Sequence, residues 1–106
     1  MWFADYLDAW ARHDLEAIMA TVTDDITHED VALGRRASGR SAFERFVRAS
    51  FANEPDARFE LVSFVEDGDD FAAEWIMQPM GVRGASIGAT RNGEVCAQRD
   101  YWNIPS

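Results

Sequence analysis

The chain contains no lysine, one cysteine, two histidines and three prolines in 106 residues, and each scarcity narrows what it can be. A lone Cys96 has no internal partner for a disulfide, which matches a reducing compartment, and no basic cluster adjoins it to generate a thiolate. Two histidines, with His13 unrelated in spacing to His28, are too few for an imidazole-rich metal centre, so no metal and no cofactor is expected. No apolar run approaches the roughly 20 residues that a membrane-spanning helix needs. The first residues also lack the basic patch and apolar stretch of a signal peptide. A cytoplasmic protein without a membrane partner is therefore the expectation. Positive charge is scarce too: ten arginines face nineteen acidic residues, a net charge of -9, which would repel a phosphate backbone and disfavours nucleic acid.

What is present is apolar material. A hydrophobic share of 47%, with 12% aromatic residues, is enough to offset the entropy of ordering one domain spanning 1–106. From Trp2 to about His13 the apolar residues recur at helical spacing. Asp14 can cap a second helix from Leu15 to about Val22, and Asp24 and Asp25 then interrupt the pattern. Ile26 to Leu33 alternates like a strand, and Gly34 to Gly39 reads as a loop. Ser41 and Glu44 have the spacing of a capping box for a third helix reaching about Asn53, closed by Pro55. Four strands follow: Ala57 to Glu66, Phe71 to Met80, Val82 to Thr90 and Glu94 to Asn103, the last two joined at Asn92-Gly93. Helices first and antiparallel strands afterwards predict an α+β domain with three helices on one face of a curved sheet. Some strands are apolar on both faces, with Phe59 and Leu61 set against Val62 and Phe64, so a homodimer through the sheet is expected to cover the second face.

The segment Tyr6 to Ile18, the strand His28-Glu29-Asp30, the helix start Gly39 to Phe43 and the closing Arg99 to Trp102 resemble the nuclear-transport-factor-2-like superfamily over nearly the whole chain. Its SnoaL-like polyketide cyclase, ketosteroid isomerase and limonene-epoxide hydrolase branches share a cone-shaped, cystatin-like fold. Similarity to ketosteroid isomerases places Tyr6 at the oxyanion-hole tyrosine and Asp30 at the general base, while the second donor, a protonated aspartate, aligns with or near Gly88. Similarity to limonene-epoxide hydrolases places Asp100 at the water-activating aspartate, with His28 and Asp30 at two residues that hold the same water. The SnoaL-like branch, which deploys a histidine and an aspartate for proton transfer, accommodates the set most easily.

Strand alternation puts His28 and Asp30 on one face, and Gln98, Asp100 and Trp102 on one face of the last strand. If these meet, two carboxylates and an imidazole converge, and mutual repulsion should raise one carboxylate pKa toward neutrality. The expectation is an acid–base catalyst on a small apolar carbonyl compound, using Asp30, Asp100, His28 and Tyr6. The alternatives are epoxide hydrolysis by water on Asp100 and a ligand-binding or dimerising scaffold without chemistry. Trp10, Phe59, Trp75, Met77 and Trp102 are the expected walls for a flat apolar or aromatic ligand, and Gly84, Ser86 and Gly88 leave room on one strand face for a ligand or a helix.

Overall fold

A computed structural model describes residues 1–103. Three helices come from the amphipathic segments: α1 (Trp2–Ala11), α2 (Leu15–Ala20) and α3 (Arg40–Asn53). Asp14 caps α2 by accepting from the Ala17 N–H at 3.1 Å. At α3 the capping box is not used. Gly39, at φ 88°, is the N-cap, and no side chain accepts from the first turn.

Six strands form one sheet: β1 (Val22–Asp30), β2 (Arg35–Ser38), β3 (Arg58–Asp67), β4 (Asp70–Gln78), β5 (Val82–Arg91) and β6 (Glu94–Trp102), in the order β2-β1-β6-β5-β4-β3. Only β1 and β6 run parallel. Two elements depart from expectation. The segment read as a loop carries β2, which pairs antiparallel with β1 from Thr27↔Ser38 to Asp30↔Arg35 and leaves Val31–Gly34 as the turn. β1 itself starts at Val22, because Asp24 and Asp25 are exposed on the strand, where a shift in register against β6 accommodates them.

The helices cover one face of the curved sheet, and the core lies between them, built on Phe3, Leu7, Ile18, Ile26, Phe43, Val47, Phe71 and Val95. A bulge at Val62, between the Leu61↔Trp75 and Ser63↔Glu74 pairs, resets the alternation of β3. Phe64 therefore faces inward with Phe59 and Leu61, its ring 5.7 Å from Phe3, and not outward with Val62 as simple alternation predicts. Val65, Ile87 and Tyr101 remain exposed outside.

Among the described residues no helix is long and apolar enough to cross a membrane.

Candidate functional site

The parallel pairing of β1 with β6 brings the two halves of the predicted constellation together. In its register His28 lies beside Gln98 and Asp30 beside Asp100, so all four side chains share the inner face. His28, 2% exposed, donates from Nε2 to Asp100 Oδ2 at 3.0 Å. Its Nδ1 is buried without a hydrogen-bond partner, and the ring packs against Phe43 and Phe46 at 5.3 and 4.8 Å. The other oxygen of Asp100 accepts from Ser86 Oγ at 2.7 Å and Gln98 Nε2 at 2.8 Å. Ser86 in turn accepts from the Trp75 indole at 3.0 Å, extending the network to β4.

This network reverses one electrostatic expectation. Burial by itself pushes the Asp100 carboxyl up, but the charge and hydrogen bond of His28, with the bonds from Ser86 and Gln98, outweigh it and hold the carboxyl below the usual range. The expected upward shift fails here because donors, and not a second carboxylate, surround Asp100. Nor does Asp100 pair with arginine, the plainer structural role open to it. Arg83 reaches Glu74 and Arg91 reaches Asp25.

Asp30, 7% exposed, is tied differently. Its Oδ1 accepts from the Leu33 N–H at 3.1 Å and the Trp102 indole at 2.9 Å. It pins the β1–β2 turn and the last strand to each other. The two aspartates thus occupy one face, but each has its own set of donors. Tyr6 on α1 is 4% exposed. Burial, and then the nearby charge of Asp100, push its hydroxyl above the ordinary phenol value, with a side-chain interaction with Trp10 working against them.

The predicted wall residues divide. Trp75 belongs to the core, while Trp10, Phe59, Met77 and Trp102 are half-buried against it. Gly84 and Gly88 leave room for neither ligand nor helix. A Cβ at Gly84 would meet the Trp75 ring, and one at Gly88 would meet the Ala97 carbonyl oxygen and lie 2.7 Å from Phe71 Cζ, so neighbouring strands occupy both sites. Two hollows stand out. One, of about 680 Å³, lies between Thr23, Asp24, Asp25, Arg40, Arg91 and Glu94, and one of about 80 Å³ lies between β2, β1 and β6, with His28 and Gln98 in its lining. Neither is lined by Tyr6, Asp30, Asp100 or the predicted wall residues. The aromatic rings take up the interior, leaving Asp100 19% exposed. Because His28 turns to Asp100 and Asp30 to Trp102, those two do not converge as ligands. No three His, Cys, Asp or Glu side chains gather as a metal set among the described residues.

Residues 3–99 match the SnoaL-like domain family. The chain belongs to that family. The SnoaL-like chain also resembles solved structures. One is a SnoaL-like protein of unknown function from Burkholderia thailandensis: 19% identity, TM-score 0.82, 93% of this chain and 89% of that one. Another is a hypothetical protein with a ketosteroid isomerase-like fold from Catenulispora acidiphila, in complex with trimethylamine: 20% identity, TM-score 0.83, 93% and 82% covered. A third is a nuclear-transport-factor-2-like protein of unknown function from Burkholderia xenovorans: 25% identity, TM-score 0.75, 95% and 79% covered. No curated protein matches the chain. These likenesses establish the cone-shaped α+β fold of the SnoaL-like chain.

Sequence reasoning did not single out Ser86 and Gln98 as functional, although both hold Asp100. The visible signal was weak: Ser86 is the one hydroxyl in the Gly84-Ser86-Gly88 alternation, and Gln98 shares a strand face with Asp100. Their convergence depends on the Ser86↔Asp100 register, a tertiary fact.

Proposed function

We propose that the SnoaL-like chain is a cofactor-independent acid–base catalyst that moves a proton on a small apolar carbonyl compound, as isomerases and cyclases do. One observation supports this reading above others: the 3.0 Å bond from buried His28 to Asp100, whose side chain keeps 19% exposure. Asp100, ionised at neutral pH, is the base. It takes the proton from the carbon next to the carbonyl and becomes a carboxylic acid, while the electron pair of the broken C–H bond moves to the carbonyl oxygen. Tyr6, kept protonated by burial, donates to that oxygen. Asp100 then returns the proton to another carbon of the same enolate, so atoms and charge balance. His28 orients Asp100 and steadies its charge, and Asp30 holds the Trp102 indole.

The reading of a binding scaffold without chemistry is favoured by the crowding of aromatic rings over the two aspartates. Hydrogen–deuterium exchange at the α-carbon of simple aryl and cyclic ketones in heavy water, followed by proton NMR, decides between them. Catalysed exchange that falls roughly a hundredfold or more in Asp100→Asn supports the catalyst. Absence of catalysed exchange across the panel supports the scaffold. The exposed Val65, Ile87 and Tyr101 on the outer sheet face suit a two-fold partner, a second copy of this chain.

A further inference from the structure

All ten arginines of the SnoaL-like chain are exposed. Asp30 and Asp100 place two neighbouring carboxylates on the inner face of the sheet, and His28 beside them is the side chain able to carry positive charge. The interior is therefore electronegative even with His28 protonated. Around these carboxylates run aromatic rings: Tyr6, Trp10 and Phe46 in sequence, with centroids 6.3 Å apart at each step, and Trp75 and Trp102 from the sheet. Beside Asp100, the carbonyl oxygen of Gln98 is buried and accepts no hydrogen bond, although Gln98 is only 3% exposed. That oxygen is a second, independent sign of a missing donor.

We propose that the ligand of this site is an organic cation: a small aryl or alkyl carbonyl compound carrying a protonated amine on the carbon next to the carbonyl. The carbonyl half rests on the proton-transfer reading above, whereas the cation half rests on the charge and aromatic lining alone. Aromatic faces attract an ammonium group through the ring quadrupole, and two carboxylates in a poorly hydrated space add to that attraction. An ammonium N–H also supplies the donor that the Gln98 carbonyl lacks.

Three further features fit the same ligand. Tyr6 is a single oxyanion donor, and one donor leaves much of the enolate charge uncompensated once Asp100 has taken the proton. Gly88, covered by the Phe71 ring, offers no side-chain donor to offset it. A substrate bringing its own positive charge to the α-carbon supplies the missing compensation. It also acidifies the C–H bond to be broken, which suits a base held below the usual carboxylate range. Finally, the net charge of -9 favours the approach of cations over anions.

Isothermal calorimetry on the full chain with three probes tests the assignment: phenacylammonium, its neutral isostere propiophenone, and the anion benzoylformate. Phenacylammonium should bind about tenfold or more tightly than propiophenone, with benzoylformate weakest, and the preference should shrink in Asp100→Asn and in Asp30→Asn. Because the comparison is among probes on the unaltered chain, it stands even where a variant fails to fold. Equal binding of propiophenone, tighter binding of benzoylformate, or no measurable binding of phenacylammonium overturns the proposal. Deuterium exchange into bound probe is recorded separately. Exchange without cation preference sinks the ligand class and leaves proton transfer standing, and cation preference without exchange does the reverse.

Discussion

Gly84→Ala probes how the site is built. Gly84 lies opposite Trp75 on β4 and Trp102 on β6, and an added Cβ would come 2.6 Å from Trp75 Cζ2. The ring cannot simply move aside, because its indole donates to Ser86, which donates to Asp100. Inserting a methyl into a filled space costs about 1–3 kcal/mol, while replacing glycine by alanine returns roughly 0.4–1 kcal/mol through the unfolded chain. The net loss is up to about 2.6 kcal/mol, a fall in Tm of up to roughly 20 °C for a domain of this size. Thermal unfolding followed by circular dichroism measures it, and the shift of the Trp75 indole proton in NMR reports whether the Ser86 bond survives. In a Trp75→Leu background the clash is absent, and Gly84→Ala should become neutral or slightly stabilising. Equal destabilisation in both backgrounds, or a stabilising effect in the native one, would refute the claim that the missing Cβ exists to seat Trp75.

His28→Phe keeps the ring packing but removes the donor to Asp100, and should destabilise the chain at neutral pH by up to about 3 kcal/mol, the low end for a broken buried pair because Asp100 is partly exposed. Since the Asp100 pKa is depressed on folding, the stability it contributes is present above the unfolded value of about 3.9 and is lost as pH falls through the folded value. The gap between His28→Phe and the unaltered chain in urea titrations should therefore narrow below pH of about 4. Tyr6→Phe should cost less than about 1 kcal/mol at neutral pH. It should also spare the chain the loss of stability that begins as pH passes the ordinary phenol value of 10.0, because the unfolded phenol ionises there before the buried one does. Trp102→Phe removes one donor from Asp30 and should lower stability by about 1.5 kcal/mol, with the amide signal of Leu33 shifting in NMR because it shares the same oxygen. Ile87→Asp, on the exposed outer face, tests the proposed two-fold contact: it should shift sedimentation toward the monomer while leaving the fold intact, and an unchanged sedimentation would count against that contact.

Much of the architecture was legible from periodicity. The stripe from Trp2 to Trp10, the Asp14 cap and the Asn92-Gly93 turn are local signals, and each works over a few residues whatever the rest of the chain does. The four-residue β2 was not legible, because Arg35, Arg36 and Ser38 have neither apolar alternation nor a turn signature, and the strand exists only through its pairing with β1. The Ser41–Glu44 spacing suggested a cap that the chain did not need once Gly39 took the left-handed conformation. Phe64 was placed on the wrong face because one extra residue at Val62 inverts the alternation, and a bulge has no mark in the side-chain pattern.

By itself, the order of residues determined the α+β class, the acidic and arginine-only charge, and the sharing of a strand face by His28 with Asp30 and by Gln98 with Asp100, since these follow from composition and a fixed period of two. Tertiary structure alone decided that β1 lies parallel to β6, and with it that His28 bonds to Asp100 while Asp30 turns to Trp102. It also decided that Trp75 fills the space above Gly84, and that donors gathered from three strands lower the Asp100 pKa where repulsion between carboxylates would have raised it. The reason is physical: a side chain's face is set by its neighbours along the chain, but its partners and their charge are set by strands distant in sequence, whose register emerges only when the sheet closes over its core.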